Sequence, residues 1–76
     1  MFDEKTFTLR LKTLRQSKNL TLGQLGESIG STKATMGNLE NANKKPSLEM
    51  VTKIADYFGV SIDYLLGRSD NPKINS

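Results

Sequence analysis

Apolar residues recur along this chain at intervals of three and four, the period of helices that each bury one face, and no run reads as a strand. Phe7, Leu11 and Leu14 mark a first helix from about Asp3 or Lys5 to Lys18, with Lys12 exposed and Asn19 as C-terminal cap. Leu22, Leu25 and Ile29 mark a second, with Gln24, Glu27 and Ser28 turned away from the stripe. It begins near Leu22, because Thr21 and Gln24 have the spacing at which each side chain satisfies a backbone donor of the other's residue. Met36 and Leu39 line the inner side of a third helix. In a fourth, Leu48, Val51, Ile54, Ala55 and Phe58 form the inner face, Ser47 caps the start and Glu49 favours the first turn. Gly59 followed by Val60 has the form of a Schellman ending. A short fifth helix opens at the cap Ser61, carries Asp63 in its first turn, buries Leu65 and Leu66 and stops at Gly67. The predicted fold is all-α, with five helices.

Residues 20–41 are the informative part. Gly30 can close the second helix in the left-handed conformation, and Thr32 can open the third as N-cap, for about 1 kcal/mol. Two short amphipathic helices joined by a three-residue turn form a pattern that implies a function, the reading of DNA. On the side of the third helix away from Met36 and Leu39 lie Ala34, Gly37, Asn38 and Asn41, with Lys33 at the helix entrance. This face is small and polar, so it can approach a groove closely, and Asn38 is the residue type that pairs bidentately with adenine. At Gly37 the missing side chain lets a base methyl come near, or marks a position under little constraint. On spacing alone the face fits a plain solvated surface equally well.

Glu40 falls between Met36 and Leu39 around the helix, on the core side, where a carboxylate needs a partner. Arg15, beside the stripe of the first helix, is the expected partner, its planar fork suited to bidentate pairing. The alternative is that both side chains reach water separately.

Charge sharpens this reading. Residues 1–46 hold eight basic and four acidic residues, net +4, and residues 47–76 three and four, net −1, so the +3 of the chain sits with the candidate reading unit. The 76 residues suffice for one small core but not for a deep catalytic cleft as well. Cysteine and histidine are both absent, which removes disulfides, thiol nucleophiles, the usual zinc sites and the commonest general base. No metal, no cofactor and no enzyme activity are expected. No stretch approaches the roughly 18 apolar residues of a membrane span, and MFDEK is not a signal-peptide start, so the cytoplasm is the expected location. Residues 41–47 have the composition of a loop, and Pro46 disfavours continued helix through Lys45. Residues 1–67 are read as the domain, and residues 68–76, RSDNPKINS, as a frayed tail or the start of a linker.

These pieces together resemble the lambda-repressor-like, Cro/cI-type helix-turn-helix family. They are Phe7-x-x-Arg10-Leu11-x-x-Leu14-Arg15, Leu20-Thr21-x-x-x-Leu25, Ile29-Gly30, Thr32, Met36, Leu39-Glu40-Asn41, Lys45-Pro46-Ser47-Leu48, Ala55, Phe58-Gly59-Val60-Ser61, Asp63 and Leu65-Leu66-Gly67. The resemblance covers about Phe7 to Gly67 and implies a five-helix domain whose third helix enters the major groove. It implies a transcriptional regulator, expected to be a repressor, acting as a homodimer on a palindromic double-stranded DNA operator. Carried over by position, Thr32, Lys33, Ala34, Gly37 and Asn38 are the base-reading candidates. Thr21, Thr35, Asn41, Asn43, Lys44 and Lys45 are the candidates for the DNA backbone, and Arg15 with Glu40 matches the family's internal ion pair. Tyr57 and Tyr64, outward by periodicity, are candidates for a dimer surface together with Ile62, or for packing. An antirepressor or effector protein is a further candidate partner. The alternative function is an antitoxin-like or adaptor module that binds protein and touches DNA weakly.

Four residues depart from the pattern. Leu22 stands where many relatives carry a phosphate-bonding glutamine, which leaves Leu22 to pack. Gly26 replaces an alanine, keeping the crossing of the two helices close while loosening the second by about 1 kcal/mol. Ser31 replaces an apolar turn residue. Ala42 replaces the glycine that ends the third helix, so the left-handed position is expected at Asn41 or Asn43.

Overall fold

Each helix of this chain is opened and closed by the same two devices, and these set the boundaries of the fold. A computed structural model describes residues 2–74. Met1, at the start of the expected domain 1–67, and Asn75 and Ser76, at the end of the expected tail, lie outside the described residues. The helices are α1 (Glu4–Ser17), α2 (Leu22–Ser28), α3 (Lys33–Glu40), α4 (Leu48–Phe58) and α5 (Ile62–Leu65), with no strand among the described residues. The side chains of Asp3, Thr21, Thr32, Ser47 and Ser61 each accept the backbone N–H three residues on. Thr21 and Gln24 form the reciprocal capping box, at 3.0 and 2.9 Å.

At the other end, Asn19, Gly30, Ala42, Gly59 and Gly67 all have positive φ. In each case the paired bonds of a Schellman ending follow: Leu20 N–H to Arg15 O, Ser31 to Gly26, Asn43 to Asn38, Val60 to Ala55 and Arg68 to Asp63. The expectation for α3 is corrected here, because Ala42 itself takes the left-handed position at φ 60°, not Asn41 or Asn43. The register of α3 is held by buried Leu39 and paired Glu40. The fifth residue after Asn38 must therefore close the turn through position 42, whatever side chain stands there. Alanine in that conformation costs about 1–2 kcal/mol, less than unseating those two residues would.

All five helices contribute to one core. Phe7 and Leu11 from α1, Leu25 from α2, Met36 and Leu39 from α3, Ile54 from α4 and Leu65 from α5 are its largest fully buried side chains. Ile29, Val51, Ala55 and Val60 complete it, and Leu14, Phe58 and Leu66 pack against it half-buried. Leu48 corrects the inner face expected for α4, being 77% exposed. As the first residue of the helix it reaches back beyond the core, to border a shallow crevice with Phe2, Pro46, Val51 and Leu66.

Hydrogen bonds reach the segment after Gly67, which the sequence reads as a frayed tail or the start of a linker. Arg10 donates from Nη1 to the carbonyls of Tyr64 and Ser69, the latter at 2.8 Å, and from Nη2 to Asp70 at 3.0 Å. The Ser61 N–H bonds the Pro72 carbonyl at 2.9 Å. The same guanidinium lies 3.9 Å above the centre of the Tyr64 ring. Tyr64 is therefore half-buried and covered, which corrects its expected outward orientation.

Candidate nucleic-acid interface

The placement of α3 follows from how closely α2 approaches its start. A Cβ at Gly26 would lie 2.7 and 2.8 Å from the carbonyl carbon and oxygen of Thr32, backbone atoms that cannot swing aside. The absence of that carbon lets the two helices meet. The Ser31 N–H bonds the Gly26 carbonyl, at 2.6 Å, across the turn. Thr32 then accepts the Thr35 N–H at 3.1 Å and donates its own hydroxyl to Thr35 Oγ1 at 3.0 Å.

The far end of α3 is pinned to α1. Arg15 donates from Nε to Glu40 Oε2 at 2.7 Å and from Nη2 to Oε1 at 3.1 Å, while Nη1 donates to the Leu20 carbonyl at 2.8 Å. Side-chain exposure is 15% for Arg15 and 7% for Glu40, so the pair is well shielded from water. The Glu40 carboxylate hydrogen bond raises the Arg15 pKa above its ordinary value, outweighing desolvation, and keeps the guanidinium charged. With both ends fixed, Met36 and Leu39 face the core and Thr32, Lys33, Ala34 and Asn38 stand exposed in a single patch. Gly37 is half-buried, since the position of its missing Cβ lies 3.8 Å from Leu22 Cδ1.

Candidates for the backbone surround this patch. Thr21, Asn41, Asn43, Lys44 and Lys45 are exposed and Thr35 is half-buried. A crevice of about 180 Å³ is lined by Thr35, Leu39, Lys44, Lys45, Pro46, Ser47 and Met50, which brings the loop lysines beside the first turn of α3. Between residues 30 and 46 the charges are Lys33, Lys44 and Lys45 against Glu40 alone. Glu40 is neutralised by Arg15, so the outward charge of this stretch is wholly positive.

Residues 11–65 match the protein family described as Helix-turn-helix. The chain is 43% identical over 63 residues to the HTH-type transcriptional regulator YobD of Bacillus subtilis, covering 83% of this chain and 56% of that protein. It is 39% identical over 59 residues to the HTH-type transcriptional regulator AnsR of the same organism, covering 78% and 51%. The chain belongs to the helix-turn-helix family. The Cro/cI-type resemblance read from the sequence is thereby shown. Its fold is also that of the P22 c2 repressor protein, solved in complex with a synthetic operator. The TM-score is 0.77 at 21% identity, covering 83% of this chain and 96% of that one. The chain spans about half the length of the two curated relatives.

In this helix-turn-helix, α2 and α3 are the paired helices and α3 carries the exposed patch. Two further residues of α2 lie against α3 that the spacing alone did not place there. Leu22 lies over Gly37, and Gly23 stands beside Lys33, whose Cβ is 4.0 Å from where a Gly23 Cβ would be. The paired glycines at 23 and 37 were the available signal, since small residues permit close helix approach. Of the three dimer-surface candidates, Tyr57 and Ile62 are 38% and 37% exposed. The Tyr57 ring meets Phe58 edge-on at 5.0 Å, and Lys18 Nζ lies 5.7 Å from its centre. Ile62 borders a crevice of about 290 Å³ that Ile74, 58% exposed, also lines. No helix among the described residues is long and apolar enough to cross a membrane.

Proposed function

We propose that this chain is a sequence-specific double-stranded DNA-binding transcriptional regulator that acts as a repressor from the cytoplasm. The observation that carries the proposal is the exposed patch Thr32, Lys33, Ala34 and Asn38 on a helix fixed at both ends, in a stretch, residues 30–46, whose one acid is paired with Arg15. An α-helix is about 10–12 Å across with its side chains, which suits insertion into a major groove about 12 Å wide. Asn38 and Lys33 supply hydrogen bonds to base edges, Gly37 and Ala34 allow close approach, and Thr32 positions the helix start. Thr21, Thr35, Asn41, Asn43, Lys44 and Lys45 hold the phosphates. Binding across a promoter then occludes it.

The proposal includes a homodimer on a palindromic operator, with Tyr57 and Ile62 on the self-associating surface and Ile74 in the place first given to Tyr64. It needs no cofactor and no catalytic group. The P22 c2 repressor, which shares the fold, was solved on an operator.

Affinity for duplex DNA as a function of salt provides the test. Two lysines per protomer on phosphates, Lys44 and Lys45, give a dimer a slope of log affinity against log salt of about −3.6. Lys45→Ala weakens binding to every sequence alike and makes the slope shallower by about 2, one phosphate per protomer. A flat slope, with gel filtration showing a complex with a protein partner such as an antirepressor, favours the adaptor reading instead.

A further inference from the structure

We propose that Leu22 is a specificity-determining residue, reading the 5-methyl group of a thymine through the opening left by Gly37. The inference rests on the proposed major-groove role of α3 and deepens it. The start of α2 lies against α3, where Gly23 is beside Lys33 and Leu22 beside Gly37, two positions one helical turn apart. The Leu22 side chain packs against the core and is half-buried, so part of its surface stays open to solvent. It lies over the missing Gly37 side chain, and on α3 the exposed polar residues Asn38, next in sequence, and Lys33, one turn earlier, stand on either side of that position.

Leucine brings neither donor nor acceptor to that place, so it can bond no phosphate and no polar base edge. The thymine methyl is the one apolar group that the four bases present in the major groove. An apolar side chain held among polar readers therefore favours thymine, and discriminates against cytosine, at one base pair in each half-site. Covering one methyl group corresponds to about a fourfold change in affinity per half-site.

The experiment uses the tightest duplex recovered when this protein selects from random sequences. Each thymine in it is replaced by deoxyuridine, one symmetric pair at a time, which removes the methyl and leaves every hydrogen-bonding group in place. For the wild-type protein one such replacement per half-site is expected to weaken binding about fourfold per methyl. In Leu22→Ala that thymine-to-uridine ratio is expected to fall to one, while Leu22→Met retains most of it. The ratio is measured within each variant, so a change in folded fraction leaves it unmoved. The proposal is overturned if no replacement matters to the wild type, if the sensitivity persists in Leu22→Ala, or if the selected site holds no thymine. Failure to select any sequence at all overturns the major-groove reading itself and this inference with it.

Discussion

Replacing Arg15 by methionine removes the guanidinium that pins α3 to α1 and keeps most of the apolar stem. Three hydrogen bonds disappear, two to Glu40 and one to the Leu20 carbonyl. The larger effect is on the partner, because the Glu40 side chain, 7% exposed, is left as a shielded carboxylate with no counter-ion. Stranding one member of a buried pair costs about 3–5 kcal/mol, against about 0–1 kcal/mol for a pair free in water. A chain of 76 residues has a total stability of about 4–11 kcal/mol at typical values per residue, so the variant is expected to lose a large share of it. Urea unfolding followed by far-UV circular dichroism measures the loss, with the slope m compared to confirm that the unfolded state is unchanged. The double variant Arg15→Met/Glu40→Leu is expected to recover to within about 1 kcal/mol of wild type or better, since apolar replacement of a buried pair is often neutral. A loss below about 1 kcal/mol in Arg15→Met, at unchanged m, refutes the reasoning, because it means that Glu40 finds water without its partner.

Three further outcomes follow from the backbone and its caps. Ala42→Gly relieves the left-handed alanine and is expected to raise the melting temperature by several degrees, about 1 kcal/mol for a domain of this size. Alanine at two other glycines acts in opposite directions. Gly26→Ala drives a carbon into the Thr32 carbonyl and lowers stability by about 1–2 kcal/mol despite better helix propensity, whereas Gly37→Ala meets only the edge of Leu22 and raises it by about 0.5–1 kcal/mol. Both are read by thermal melts. At the start of α1, hydrogen bonds from the Thr6 hydroxyl and N–H hold the Asp3 carboxyl below its ordinary value of 3.8. Its stabilising contribution is present in full above that value and is lost as pH falls through the lower folded one, so wild type and Asp3→Ala should converge in acid.

Much of this molecule was legible because its signals are local. Every N-cap that the sequence suggested, at Thr21, Thr32, Ser47 and Ser61, accepts its backbone N–H, since a hydroxyl three residues before a donor needs no tertiary partner to act. The Arg15–Glu40 pair was also readable, because a carboxylate placed between two core positions must be answered from a neighbouring helix. What was not legible depends on distances between elements. Ala42 turns left-handed because buried Leu39 fixes the register of α3, against the local preference for asparagine. Tyr64 reads as exposed until Arg10 arrives from α1 to cover it and to fasten the chain beyond Gly67. Leu22 reads as packing alone, since only the crossing of α2 over α3 places it beside Gly37.

Base reading by the outer face of α3 is what the proposed function requires. Parallel in vitro selection of random duplexes by the wild type and by Asn38→Ala tests it most directly. The wild type is expected to enrich one motif with two half-sites centred about 34 Å apart, and Asn38→Ala to lose preference at one symmetric position while keeping the rest, at about 1–3 kcal/mol in affinity. Enrichment of no motif by the wild type, or an unchanged motif with Asn38→Ala, would contradict it.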